Sequence, residues 1–127
     1  MICYLIVPED FNPNHLTLRV PENRLRTEDD TTKRICASKT IKGALRAVGC
    51  RYVNKQCKLL IVNCDDSHIK IPTIDQVPDI EITDEVWIIG MNFIILQKYL
   101  IEIAGYSSEV ISQPGGSYLR DYIVKFL

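Results

Sequence analysis

Hydrophobic side chains fall in short runs along this chain, each closed by proline, glycine or a polar cluster. Residues 2–7 are an unbroken apolar run ending at Pro8, the pattern of a strand covered on both faces, and they predict a central strand. Turn chemistry at Phe11-Asn-Pro-Asn14 follows. Leu16, Leu18 and Val20 then alternate with His15, Thr17 and Arg19, so residues 15–20 read as a half-buried strand. Residues 21–34 are polar and charged in both signs, pinned only by Leu25, and predict a surface loop. Loops of this length serve as lids and binding loops, and the alternative is a plain solvated excursion.

Residues 35–37 predict a short strand, with Ser38 as N-cap of the segment that follows. Ile41, Ala44, Leu45 and Val48 recur at helical spacing, Lys39, Lys42 and Arg46 take the other side, and Gly49 stands where a helix-ending residue adopts positive φ. This is the clearest helix. Residues 59–63 repeat the buried-strand pattern, and Cys64-Asp65-Asp66-Ser67 closes it. Ile69 and Ile71 suggest a further short strand, 72–79 a proline-bearing connector, and 85–90, with the only tryptophan, another strand. Ile80 and Ile82 alternate with Glu81 and Thr83 just ahead of it. Residues 92–104 fit helical spacing at Phe93, Leu96, Leu100 and Ile103, yet their isoleucines and tyrosine favour strand, which is the reading adopted. Pro114-Gly115-Gly116 signals a turn, and residues 118–127, apolar on both faces, predict a final strand that is mostly covered. The sum is six or seven strands and one or two helices with little βαβ alternation: a sheet-dominated α+β single domain over residues 1–127.

Composition narrows the function classes. The chain has 127 residues, 46% hydrophobic and 24% charged, enough for one unaided core and far from the signature of disorder. Fifteen Lys and Arg against sixteen Asp and Glu leave a net charge of -1. No long-range field draws this chain to phosphate backbones or anionic lipid, so nucleic acid is not the expected partner. The start lacks a basic n-region and no apolar run approaches the roughly 20 residues of a bilayer span, so the expectation is a soluble, cytoplasmic protein that does not enter a membrane. Five cysteines, an odd number, read as reduced thiols, and the spacing of Cys50, Cys57 and Cys64 is wider than the knuckles of structural zinc sites. His15 and His68 read as surface residues, and nothing in the sequence places a thiol beside either. Tyr99, Tyr106 and Tyr118 read as core or strand-face residues ahead of a self-association surface. Phosphate-binding glycine loops, zinc helices and nucleophile elbows are missing.

Two segments carry a resemblance. Arg34-Ile-Cys-Ala-Ser-Lys-Thr-Ile-Lys-Gly-Ala44, a short strand ending in a small hydroxyl residue and feeding an amphipathic helix, resembles the Ser-Thr-Ser segment of ADP-ribosyltransferases. Thr83-Asp84-Glu85-Val86-Trp87 resembles the strand that carries the catalytic glutamate of that family. The resemblance implies an ADP-ribosyltransferase-like fold and NAD as cofactor. Ser38 would shape the nicotinamide pocket. Glu85 would hold a ribose hydroxyl and stabilise an oxocarbenium-like transition state, and His15 or Arg19, on an early strand, would clamp phosphate or ribose. The chain departs from the pattern in reducing the hydroxyl triplet to Ala37-Ser38-Lys39 and in lacking the usual glutamate two residues before Glu85. Read without the resemblance, Ser38 caps a helix, Glu85 opens a strand and Arg19 lies on a solvated face. The wider layout, from Arg19-Val-Pro21 through Val77 to Trp87, is also similar to small uncharacterised proteins of bacteria and their phages. Two function classes follow. One is an ADP-ribosyltransferase-like domain that binds NAD or a related nucleotide and transfers or removes ADP-ribose. The other is a non-enzymatic phage or mobile-element protein that binds a host protein or a signalling nucleotide.

Overall fold

In a computed structural model of the chain the described residues are 1–22, 28–113 and 116–127. Nine strands and two helices are present among them: β1 (Ile2–Pro8), β2 (Ile35–Ser38), α1 (Ile41–Val48), β3 (Gln56–Cys64), β4 (Ile69–Lys70), α2 (Ile80–Thr83), β5 (Glu85–Ile88), β6 (Phe93–Tyr106), β7 (Val110–Gln113), β8 (Gly116–Leu119) and β9 (Tyr122–Phe126). Seven form one antiparallel sheet in the order β4-β5-β2-β1-β3-β6-β9, and β7 pairs with β8 as a separate hairpin. The α+β, sheet-dominated reading holds at that level, with more strands than the sequence suggested. No helix among the described residues is long and apolar enough to cross a membrane.

The apolar run at the start of the chain becomes β1, fourth of the seven strands. Its continuous hydrophobicity follows from having two covered faces. Cys3, Leu5 and Val7 join Ile35, Ala37, Leu60, Val62, Val86 and Ile88 on one face, over which Phe11, Leu16 and Leu18 pack. Ile6 joins Leu59, Ile101 and Ile103 on the other, under Ala44 and Leu45 of α1. The cap of α1 is Thr40 rather than Ser38: the Thr40 Oγ1 accepts from the Gly43 N–H at 2.9 Å. Gly49 ends the helix at φ 62°.

Beyond that cap, three further expectations are corrected, and one alternating segment takes a form the sequence left open. Residues 15–20 are not a strand: Pro13–His15 is a single 3-10 turn, and only Arg19 pairs, through the isolated bridge to Arg34. Alternation there serves a cover strip, with Leu16 and Leu18 laid on the sheet. Alternating residues 80–83 form a one-turn helix, closed by Asp84 in the left-handed region at φ 51°. The final segment breaks at Arg120 and Asp121 into β8 and β9. β9 is an edge strand, with Ile123 60% and Phe126 58% exposed, so it is not mostly covered. Arg34, placed by sequence in the surface loop, is fully buried. The centre of that loop, residues 23–27, and the turn read at Pro114 and Gly115 lie outside the described residues. Residues 92–104 are strand, within β6.

Candidate functional site

The sheet is split. β1 and β2 share one register pair, Tyr4↔Ser38, and diverge beyond it. Local hydrogen bonds fix which way the peptide groups point. Ile89 N–H donates to the His68 carbonyl on the β4 side at 2.9 Å and Lys39 N–H to the Asp84 carbonyl at 3.0 Å. Ile35 and Ala37 therefore address β5, while Arg34, Cys36 and Ser38 address β1. On β1, Cys64 N–H donates to the Met1 carbonyl, so Tyr4 and Ile6 address β2. Arg19 takes both main-chain groups of Arg34, at 2.9 and 3.1 Å. Between the Tyr4 and Arg19 pairings, the N–H and C=O of Cys36 and Ile6 face the gap with no ladder pair between them.

This gap is the floor of a cleft of about 520 Å³, lined from both sheet faces and within the size range of small-molecule sites. His15, Arg19, Ser38 and Glu85 all line it. Its apolar walls come from β1, β2 and α1, and Arg51 and Tyr52 stand on the helix side. His15 and Arg19 are exposed, and among the described residues neither side chain engages a polar partner. Neither belongs to a strand of the sheet, and β1 contains no Arg or His.

Ser38 and Glu85 are direct cross-strand partners on β2 and β5. Ser38 is 2% exposed, and its hydroxyl donates to the Thr83 carbonyl at 2.6 Å and accepts from the Thr40 N–H at 3.3 Å. The hydroxyl is thus engaged in tying β2 to the end of α2, and its only proton is spent there. Glu85 is half-buried. Burial pushes its carboxyl up to about 7, against the pull of the Trp87 indole N–H, which donates to it at 2.6 Å; Glu28 and Asp79 raise it further and Arg34 lowers it. A carboxyl balanced near neutrality at a cleft wall has the protonation range of a general acid or base.

Beneath the cleft lies a charged cluster that sequence reading missed. The Arg34 guanidinium lies 4.0 Å over the Trp87 ring, pairs with Glu28 at 3.1 Å and Asp29 at 3.5 Å, and donates to the Thr32 and Asp29 carbonyls at 2.8 and 3.1 Å. Asp29 is held down to about 2, first by the Thr32 and Thr31 N–H groups. Tyr118 donates to Asp79 at 2.5 Å, and burial followed by that carboxylate pushes its phenol well up. A signal for Arg34 did exist: the period of two that places Ser38 on the cleft face also places Cys36 and Arg34 there. Nothing local marks Trp87, Asp79 or Tyr118, whose meeting depends on strand order.

Cys36 lines the cleft, but burial, followed by the Glu85 charge, pushes its thiol up to about 12, so it supplies no thiolate near neutral pH. All five cysteines are free thiols, and among the described residues no group of three or more His, Cys, Asp or Glu could hold a metal ion. Comparison with protein-family models, curated proteins and solved structures finds no match to this chain.

Proposed function

We propose that the cleft binds NAD or a related nucleotide and that Glu85 acts at the ribosyl carbon, as the resemblance to ADP-ribosyltransferases implies. The observation that carries this reading is the convergence of His15, Arg19, Ser38 and Glu85, distant in sequence, on one cleft. The two unpaired basic side chains suit a pyrophosphate, the apolar walls suit a planar ring, and the Cys36 and Ile6 peptide groups offer it a donor and an acceptor. As a carboxylate, Glu85 accepts a ribose hydroxyl and favours positive charge developing at the neighbouring carbon.

Calorimetric titration with NAD and with ADP-ribose tests the reading. Binding in the micromolar to submillimolar range is expected, weakened roughly tenfold by Arg19→Ala through loss of a charge-assisted contact. Glu85→Gln is expected to keep binding and stop nicotinamide release. No heat from either ligand at millimolar concentration ends the proposal. The engagement of the Ser38 hydroxyl and the lack of Arg or His on β1 favour a second reading, in which the cleft binds a nucleotide without transferring ADP-ribose. Binding by the wild-type chain with no release of nicotinamide selects that second reading.

A further inference from the structure

Beyond the residues that line the cleft, the face of the sheet that carries α1 has an uncovered half. Cross-strand register assigns its members. Ile2 sits opposite Asn63 and Asn63 opposite Ile94, Leu59 opposite Tyr99, and Ile101 opposite Phe126, all on the side where α1 packs on Leu59 and Ile101. The β3–β6 register jumps between Ile61 and Val62, so Leu96 is an extra residue whose side chain turns to the same face as Gln97. The outcome is a contiguous patch: Ile2 is 42% exposed, Ile94 66%, Leu96 49%, Tyr99 37% and Phe126 58%, with Tyr99 and Phe126 stacked at 5.4 Å. Asn63 and Gln97 are its polar members, and among the described residues no charged side chain falls within it by register.

We infer that this patch is a two-fold interface between copies of the chain, packed sheet face on sheet face. Three observations select a second copy. A fully exposed side chain of this size presents about 150–200 Å², so the five exposures amount to roughly 400–500 Å² of apolar surface. With the exposed Asn63 and Gln97 that lie among them, the patch approaches the roughly 600 Å² per partner at the lower bound of specific interfaces. The patch offers a charged partner nothing to pair with, whereas it matches itself about a two-fold axis, and a net charge of -1 sets up little repulsion between copies. The neighbouring edge favours face packing over strand addition: β9 pairs with β6 only from Ile101 onward, but the bulge at Leu96 interrupts the ladder that an added strand would need. Ile2 and Ile94 lie toward the start of β1, while Tyr99 and Phe126, level with Ile6 and Pro8, lie on β6 and β9 beyond β3, and none of the five lines the cleft.

Sedimentation equilibrium of the intact chain up to about 100 µM, where a micromolar interface fills, reads the mass directly. The wild type is expected to pass from 14.5 kDa to twice that mass. Ile94→Lys and Leu96→Lys are expected to hold it at the monomer mass, while Ile123→Lys, an equally exposed isoleucine on the opposite face, leaves the transition unchanged. Circular dichroism confirms that each variant is folded. A wild-type chain that stays monomeric overturns the inference whatever the variants do. So does a dimer that survives both patch substitutions, or one that Ile123→Lys dissolves equally. Capture of an unrelated protein by a patch that does not self-associate overturns it as well.

Discussion

Glu85 lies between opposing demands, burial favouring its neutral form and the Trp87 indole favouring its charged one. Its carboxyl rises from 4.5 to about 7 on folding, so the folded chain holds a proton that the unfolded chain releases between those values. The advantage of the folded state is full below about 4.5 and is lost as pH rises through about 7, on the order of 3 kcal/mol at about 1.4 kcal/mol per tenfold change. Glu85→Gln, which cannot ionise, is therefore expected to match the wild type in urea unfolding near pH 4 and to exceed it by up to that amount at pH 8. Trp87→Phe probes the other side of the balance. It keeps a ring face for Arg34 but removes the N–H, and the Glu85 titration followed by carbon NMR is expected to move up by about one pH unit. A Glu85 midpoint that stays in place would show that the indole does not hold the charge.

The crossing of α1 with the end of α2 depends on one glycine. A Cβ at Gly43 would fall on the Thr83 carbonyl oxygen and on the Ser38 hydroxyl, the two partners of the bond that ties β2 to α2. Gly43→Ala is expected to lower stability by about 2–3 kcal/mol, despite the better helix propensity of alanine, because neither neighbour can move without breaking that bond. A thermal melt checks it; an unchanged or higher midpoint refutes the crowding argument. Elements whose evidence is local were legible in the sequence: the apolar run of β1, the helical spacing and Gly49 stop of α1, and the isoleucine-rich β6. Elements whose evidence is tertiary were not. Leu16 and Leu18 alternate like a strand but act as a lid on the sheet, and Ile80 and Ile82 alternate across a single helical turn. Tyr122 to Phe126 looks covered until its edge position is known. At the candidate site the same divide holds. Ser38 and Glu85 could be named from segments that run on from them, whereas Arg34 reads as one more loop charge until β5 brings Trp87 beneath it.

For the molecule as a whole, the chain order of strands and their spatial order differ in a way that builds the cleft. β5, late in sequence, enters beside β2, and the polar stretch between β1 and β2 lets the two part company after a single pair. Nine register positions join β3 to β6 and seven join β1 to β3, but one joins β1 to β2. The three strands β4, β5 and β2 and the four strands β1, β3, β6 and β9 therefore meet through a single ladder rivet at Tyr4 and Ser38, and otherwise through the core that Leu5 and Val7 share with Ile35 and Ala37. An occupant bonded to Ile6 on one side and Cys36 on the other would act as a second rivet, and its grip would be felt as stiffness across the full width of the sheet.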